Sequence, residues 1–236
     1  MVSNNVVIFP SVYKSLPFDV EKDFVAVAPV LDVSNVLTIN PKVIDASTLE
    51  EFVKIVRANP GKYNFASTGN GAGTHMAFAE LNSRLGLDMV HVPYKGGPEA
   101  IMSVVRGETC CIMNQVQTVL PHYKSGKVRL LGVTTAKPVE VIKEVPTIAS
   151  SGLTGTKGFD SSIWFGIFAP KGTDPAIVAK LGQAVREVLE LPEVRARFES
   201  QGNAIRIETP EQFKKTVHND RLKWAQVVKD AKISID

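Results

Sequence analysis

Cysteine is scarce in this chain: there are two in 236 residues, side by side at Cys110 and Cys111 within an apolar run. Strand alternation would point them to opposite faces, so mutual pairing is not expected, and neither has the spacing of a metal ligand. They read as core packing. An excess of one charge is lacking too. Lys and Arg number 27 against 24 Asp and Glu, and the net charge of +3 is too small and dispersed to argue for nucleic acid or a membrane surface. It suits a small anionic ligand only weakly. No segment approaches the roughly 18 apolar residues of a membrane span. The opening Met1-Val-Ser-Asn-Asn-Val-Val-Ile-Phe-Pro lacks a basic start, a sustained apolar core and a small-residue cleavage site, so it does not read as a signal peptide. As written, the chain is expected to be soluble and to stay where it is made. Catalytic signatures are missing as well. There is no G-x-S-x-G elbow, no H-E-x-x-H and no cysteine with an obvious helper. His91, His122 and His218 share no metal-binding spacing. No catalytic residue, metal or cofactor is expected.

What is present is an alternation of strand-like and helix-like segments with short punctuation. Hydrophobic residues at 44% and charged residues at 22% are those of an ordinary globular protein with a sizeable core. Residues 24–40 read as one long strand or two linked ones. Ser47-Thr-Leu-Glu50 reads as a capping box, opening a helix that Asn59-Pro60-Gly61 ends. Strands over 63–66, 89–92, 109–114 and 128–134 alternate with helices over 74–85, 96–107 and 116–124. This order predicts an α/β fold with a mainly parallel sheet flanked by helices on both faces. Beyond a looser stretch at 137–158, a strand is expected at 162–170 and another at 204–207. Helices are expected from 174 to 191, from 192 to near 202 and from 209 to 232.

The most telling stretch is Ser67-Thr-Gly-Asn-Gly-Ala-Gly-Thr-His75, which follows a short apolar strand and runs into a helix. Glycines let backbone N–H groups approach a ligand, and the orphan donors and dipole of a helix N-terminus favour negative charge. Two named motifs are excluded. A P-loop needs Lys after its last glycine, but Gly73 is followed by Thr74 and His75. The dinucleotide fingerprint needs its third glycine one residue later and an acidic strand end about 20 residues on. A plain surface turn is the alternative.

The candidate contacts are Ser67, Thr68, Gly69, Asn70, Gly71, Ala72, Gly73, Thr74 and His75. The Ser67 and Thr68 hydroxyls could donate to an anion or cap the loop. Thr74 reads as the helix N-cap. The helix dipole should disfavour a charged His75, leaving a neutral hydrogen-bonding ring or a packing histidine. Tyr94 and Lys95 follow a strand, where Lys95 either attracts an anion or is merely solvated. Asn114 ends a strand, with an Asx turn as its alternative. Ser161 and Ser162 are weaker candidates, and Trp164 and Phe165 read as core. Ser67 and His75 would make a tempting nucleophile pair, but no acid is marked to orient the histidine.

These residues resemble the periplasmic solute-binding receptors of tripartite tricarboxylate transporters, the Bug family. The matching segments include Tyr13-Lys-Ser-Leu-Pro-Phe-Asp19, Asn59-Pro-Gly-Lys62, the stretch 63–80, His91-Val-Pro-Tyr-Lys-Gly96, Val145-Pro-Thr147 and Trp164-Phe-Gly-Ile-Phe-Ala-Pro170, in family order over essentially the whole chain. The resemblance implies a type II, flytrap-like receptor of two lobes that closes over a carboxylated metabolite: a dicarboxylate, an amino acid or an aromatic acid. Membrane components of a tripartite transporter would be its partners and the periplasm its location. One lobe would comprise residues 1–33 and 161–236, and the other residues 34–160. Family members also carry a signal peptide and a glycine-rich segment ahead of what aligns with Asn4. The first lobe is therefore expected to be incomplete, with exposed sheet edge favouring self-association. An anion-binding α/β enzyme, a remnant that no longer binds, and a regulatory ligand-binding domain are the alternatives, the last weakened by the lack of a helix-turn-helix.

Overall fold

The computed structural model describes residues 1–233. In chain order the elements are β1 (Val2–Ser3), α1 (Asn5–Val12), α2 (Val20–Asp23), β2 (Phe24–Val33), β3 (Asn35–Ile39), α3 (Leu49–Arg57), β4 (Asn64–Ser67), α4 (Gly73–Leu85) and β5 (Val90–Pro93). They continue with α5 (Gly97–Arg106), β6 (Cys111–Gln115), α6 (Val116–Lys124), β7 (Arg129–Val133), β8 (Ile163–Pro170), α7 (Pro175–Glu190), α8 (Pro192–Glu199), β9 (Asn203–Ile205) and α9 (Pro210–Asp230). The apolar run at 24–40 is thus two strands, and they belong to different sheets. The chain forms two compact units, one of Met1–Val33 with the chain from Ile163 onward and one of Ser34–Ser162.

In the Ser34–Ser162 unit the sheet order is β5-β4-β6-β3-β7. β4 pairs in parallel with β5 and β6, and β3 runs antiparallel to both β6 and β7. Alternation along β4 sends Phe65 into a core with Phe52, Phe78 and Leu81, and Ala66 into an opposite core with Ile101, Val104 and Val119. Helices therefore cover both faces of this sheet, as the near-continuous apolar strands require. In α3, Leu49, Phe52, Val53 and Val56 are buried at the spacing of one helical face. Its cap is one residue later than expected. The Thr48 hydroxyl accepts from Glu51 N, and Ser47 N donates to the Glu51 carboxylate at 2.7 Å. Thr48 is therefore the cap, and Glu51 reaches back past it to Ser47, so the strict reciprocal box is not formed.

The other unit corrects the expectation of mainly parallel sheets. Its sheet, β1-β8-β2-β9, is antiparallel at every pairing. A parallel pairing needs a crossover helix between consecutive strands, whereas β2 and β8 are separated in sequence by the whole of the other unit. α7 and α9 pack on β2. Phe213 from α9 is fully buried, and Trp164 on β8 donates to Asp220 on α9 at 2.6 Å. Arg206 ties β2 to the segment beyond β9, bonding Asp32 at 3.0 Å and Glu208 at 2.8 Å.

The two cysteines are buried and free, as core residues, but they do not point to opposite faces. β6 begins only at Cys111, so Cys110 is outside the pleat, and the two sulfurs lie 3.8 Å apart over the Asn64 carbonyl. Burial pushes the Cys111 thiol well above its ordinary value.

Candidate functional site

The parallel strands β4, β5 and β6 end at one edge of their sheet. Ser67 pairs with Pro93, and Gln115 of β6 pairs with Asn35, the first residue of β3. Carboxyl ends of strands are where α/β sheets hold ligands. The residues between Ser67 and Gly73 make the turn from β4 to α4. Gly69 (φ 133°) and Gly71 (φ 69°) take the left-handed conformations that other residues resist. Between them Asn70 is exposed, while Gly71 and Gly73 are buried.

Thr74 is not the helix cap. Ala72 holds that position in extended backbone without a side-chain bond, and Thr74 acts from inside the first turn. Its Oγ1 accepts from Thr68 N at 2.9 Å and lies 2.8 Å from Thr68 Oγ1. With the Thr74 proton directed to Thr68 Oγ1, the half-buried Thr68 hydroxyl keeps its own proton for an outside acceptor. The N–H groups of Asn70, Thr74 and His75 have no acceptor among the described residues. Two of these are orphan donors in the first turn of a 13-residue helix with no acidic residue there.

Behind the loop lies an aromatic stack. His75 and His91 are parallel, with ring centroids 3.7 Å apart, and Phe65 stacks on His91 at 5.0 Å. Gly71 N donates to His75 Nδ1 at 3.1 Å, so Nδ1 is bare and the neutral ring carries its proton on Nε2. Burial holds His75 down at about 3, with the neighbouring His91 lowering it further, and burial holds His91 at about 4. Desolvation is the main cause that keeps the His75 ring neutral.

Ser67 pairs with His91 and not with His75: Ser67 Oγ and His91 Nε2 are 2.6 Å apart. The hydroxyl also accepts from Gly69 N at 3.2 Å and is fully buried. Among the described residues no carboxylate bonds His91. The buried Ser67 hydroxyl is thus held by its own loop and by the His91 ring. His91 is the residue that sequence reasoning missed, since only the parallel pairing of β4 with β5 brings it under the loop.

The remaining candidates fall around this edge. Tyr94 N donates to Ser67 O at 3.0 Å and its ring packs on the core beneath α5. Lys95 is exposed, and its N–H donates to Glu99 on α5. Asn114 is buried with both ends of its amide committed, Nδ2 donating to Gly97 O at 3.1 Å and Oδ1 accepting from Gln115 N at 2.8 Å. It pins the start of α5 to β6. Ser162 N donates to Asp160 at 3.3 Å, and Ser161 is buried, with its hydroxyl on Glu80 of α4. A second residue missed is Asn35. It is fully buried at the same strand-end edge, and neither Oδ1 nor Nδ2 has a partner among the described residues. Nothing in its local sequence marks it, because its position depends on β3 starting a new sheet.

A family model described as "Tripartite tricarboxylate transporter family receptor" matches residues 1–233. Protein BugT of Bordetella pertussis is 32% identical over 93% of this chain, which spans 66% of BugT. A structure titled as a periplasmic transporter is 33% identical, covers all of this chain and is covered over 78% of its own, with a TM-score of 0.86. MatC from Rhodopseudomonas palustris, solved with bound malate, is 28% identical over 96% of this chain and 75% of its own, with a TM-score of 0.80.

Proposed function

The chain belongs to the tripartite tricarboxylate transporter receptor family, and on that footing we propose that it is a solute-binding receptor for a small carboxylated metabolite. It works in the periplasm and presents its ligand to the membrane components of a tripartite transporter. The Ser34–Ser162 unit is the lobe that carries the anion loop, and the other unit is the second lobe. The observation that carries the reading is the set of main-chain donors of Asn70, Thr74 and His75 left without acceptors at the head of α4. A carboxylate received there is met by fixed N–H groups, by the positive end of the helix and by the Thr68 hydroxyl. Asn35 supplies a side-chain amide at the same edge.

Dicarboxylates are the favoured class, supported by the malate-bound relative. The receptor reading is supported over the enzyme reading by the burial of Ser67 and the lack of an acid on His91. Calorimetric titration against malate, succinate, aspartate, glutamate, citrate and nicotinate tests the proposal. Saturable binding of one carboxylate, recovered unchanged after incubation, is expected. A cooperatively melting chain that binds none of the panel, or that converts one of them, overturns it.

A further inference from the structure

The unit formed by Met1–Val33 and the chain from Ile163 contains a cavity of about 870 Å³, within the range of small-molecule sites. It shares no residue with the glycine-rich loop. Its floor is apolar, formed by Val25, Ala26, Phe168, Val178 and Val217. Its walls are the first turns of α7 and α9, each opened by a proline at the first helical position, Pro175 and Pro210. Both helix N-termini are closed by their own side-chain caps, Asp174 accepting from Ala176 N and Thr209 from Gln212 N.

The rim is cationic. Lys171, Lys214 and Lys215 line it, and none of them has an ion-pair partner among the described residues. The other charges at the rim are already engaged. Lys22 is bound to Asp19 at 2.9 Å, and Glu21 is bound to His218 and to Arg221, each at 2.8 Å. Of the two acids that line the cavity among the described residues, Glu21 is ion-paired and Glu211 is left to oppose the lysines. It lies in the first turn of α9, where backbone N–H groups favour its charged form.

An apolar floor excludes a ligand charged at both ends, since burying the second charge unpaired is costly. A rim of three lysines selects an anion over a neutral or basic head group. We propose that this cavity binds an amphipathic monoanion, a medium-chain or aryl carboxylate, with its apolar body on the Phe168 and Val178 floor and its carboxylate among Lys171, Lys214 and Lys215. The site is separate from the carboxylate loop, and its test does not depend on the function assigned to that loop.

The experiment is calorimetric titration of the full chain with decanoate below its aggregation concentration, with decan-1-ol as the neutral control. Saturable one-to-one binding of decanoate is expected. Ala179→Trp, on the exposed face of α7 that lines the cavity, should weaken it at least about tenfold, and so should Lys214→Glu with Lys215→Glu. Thermal melts confirm that each variant folds. Absence of decanoate binding to the folded wild type overturns the proposal. So does equal affinity for decan-1-ol, or affinity unchanged in both variants. Displacement of decanoate by a dicarboxylate that binds the glycine-rich loop would put both ligands in one site and would also refute it.

Discussion

The rings of His75 and His91 lie face to face, 3.7 Å between centroids and 3° from parallel, directly beneath the glycine-rich loop. Two imidazolium rings could not share that spacing in a buried place, so the pair exists as neutral rings. Their folded values, about 3 and about 4, lie below the ordinary histidine value of 6.5. Between those values and 6.5 the unfolded chain binds more protons than the folded one. Stability is therefore complete above about 6.5 and declines as pH falls below it. The melting midpoint should be level above pH 7 and fall from 6.5 toward 5, a range in which exposed carboxylates scarcely titrate. His91→Phe keeps a stacking surface and removes one titrating group, so the fall should be shallower. An identical profile in the variant would contradict the pairing.

Gly71 is the loop residue least tolerant of change. It is buried at φ 69°, and its N–H is committed to His75. Gly71→Ala should cost about 1–2 kcal/mol of stability through its left-handed φ and should weaken carboxylate binding as well. Asn70→Ala keeps the main-chain donor and should leave both stability and affinity nearly unchanged. Melts and titrations of the two variants side by side test whether the loop binds through its backbone.

Asn35 separates a binding role from a structural one. A fully buried amide without a protein partner costs stability, by about 1–3 kcal/mol for each such group. Asn35→Leu should therefore raise the ligand-free melting midpoint while lowering carboxylate affinity. A lowered midpoint would show that the amide supports the fold, and unchanged affinity would remove it from the site.

Gly166 on β8 leaves room for Phe213. A Cβ at this position would fall on the Phe213 ring and lie 3.3 Å from the Ala28 carbonyl. Gly166→Ala should destabilise the chain by roughly 1–3 kcal/mol, the usual cost of overpacking. Phe213→Leu should recover part of that loss in the double variant, despite being harmful alone. Simple additivity in denaturant melts would rule out the contact.

Cys110 and Cys111 are almost wholly buried. A thiol must be exposed as thiolate to react, so neither should be modified by a thiol reagent at pH 8 until the chain unfolds. Both should then react together, and early reaction of either would contradict their placement.

From β2 onward the order of elements was legible because each carries a local signal, whereas β1, α1 and α2 were not read. Pro175 after Asp174, and Thr209 with Gln212, mark helix starts that the structure places as read. The loop was legible for the same reason, since Gly69 and Gly71 do require positive φ. What escaped depends on partners distant in sequence. His91 lies 24 residues from the Ser67 it bonds, and Asn114 bonds Gly97, 17 residues away. The antiparallel sheet escaped because β2 and β8 have no crossover between them to fix their direction. The capping shift to Thr48 turns on which carboxylate reaches back, a choice between Glu50 and Glu51 that spacing alone leaves open.

Val33 and Ile163 are partners in the β2–β8 ladder, so the chain leaves one unit and re-enters it at neighbouring points. During synthesis, β2 finds neither β8 nor β9 until the whole Ser34–Ser162 unit has been translated. That intervening unit is contiguous, with all five strands of its sheet in hand, and it can fold on the ribosome as a completed domain. The order of assembly is thereby set by topology. The unit bearing the anion loop is complete before β8 is made, and the apolar strand β2 waits for that later strand.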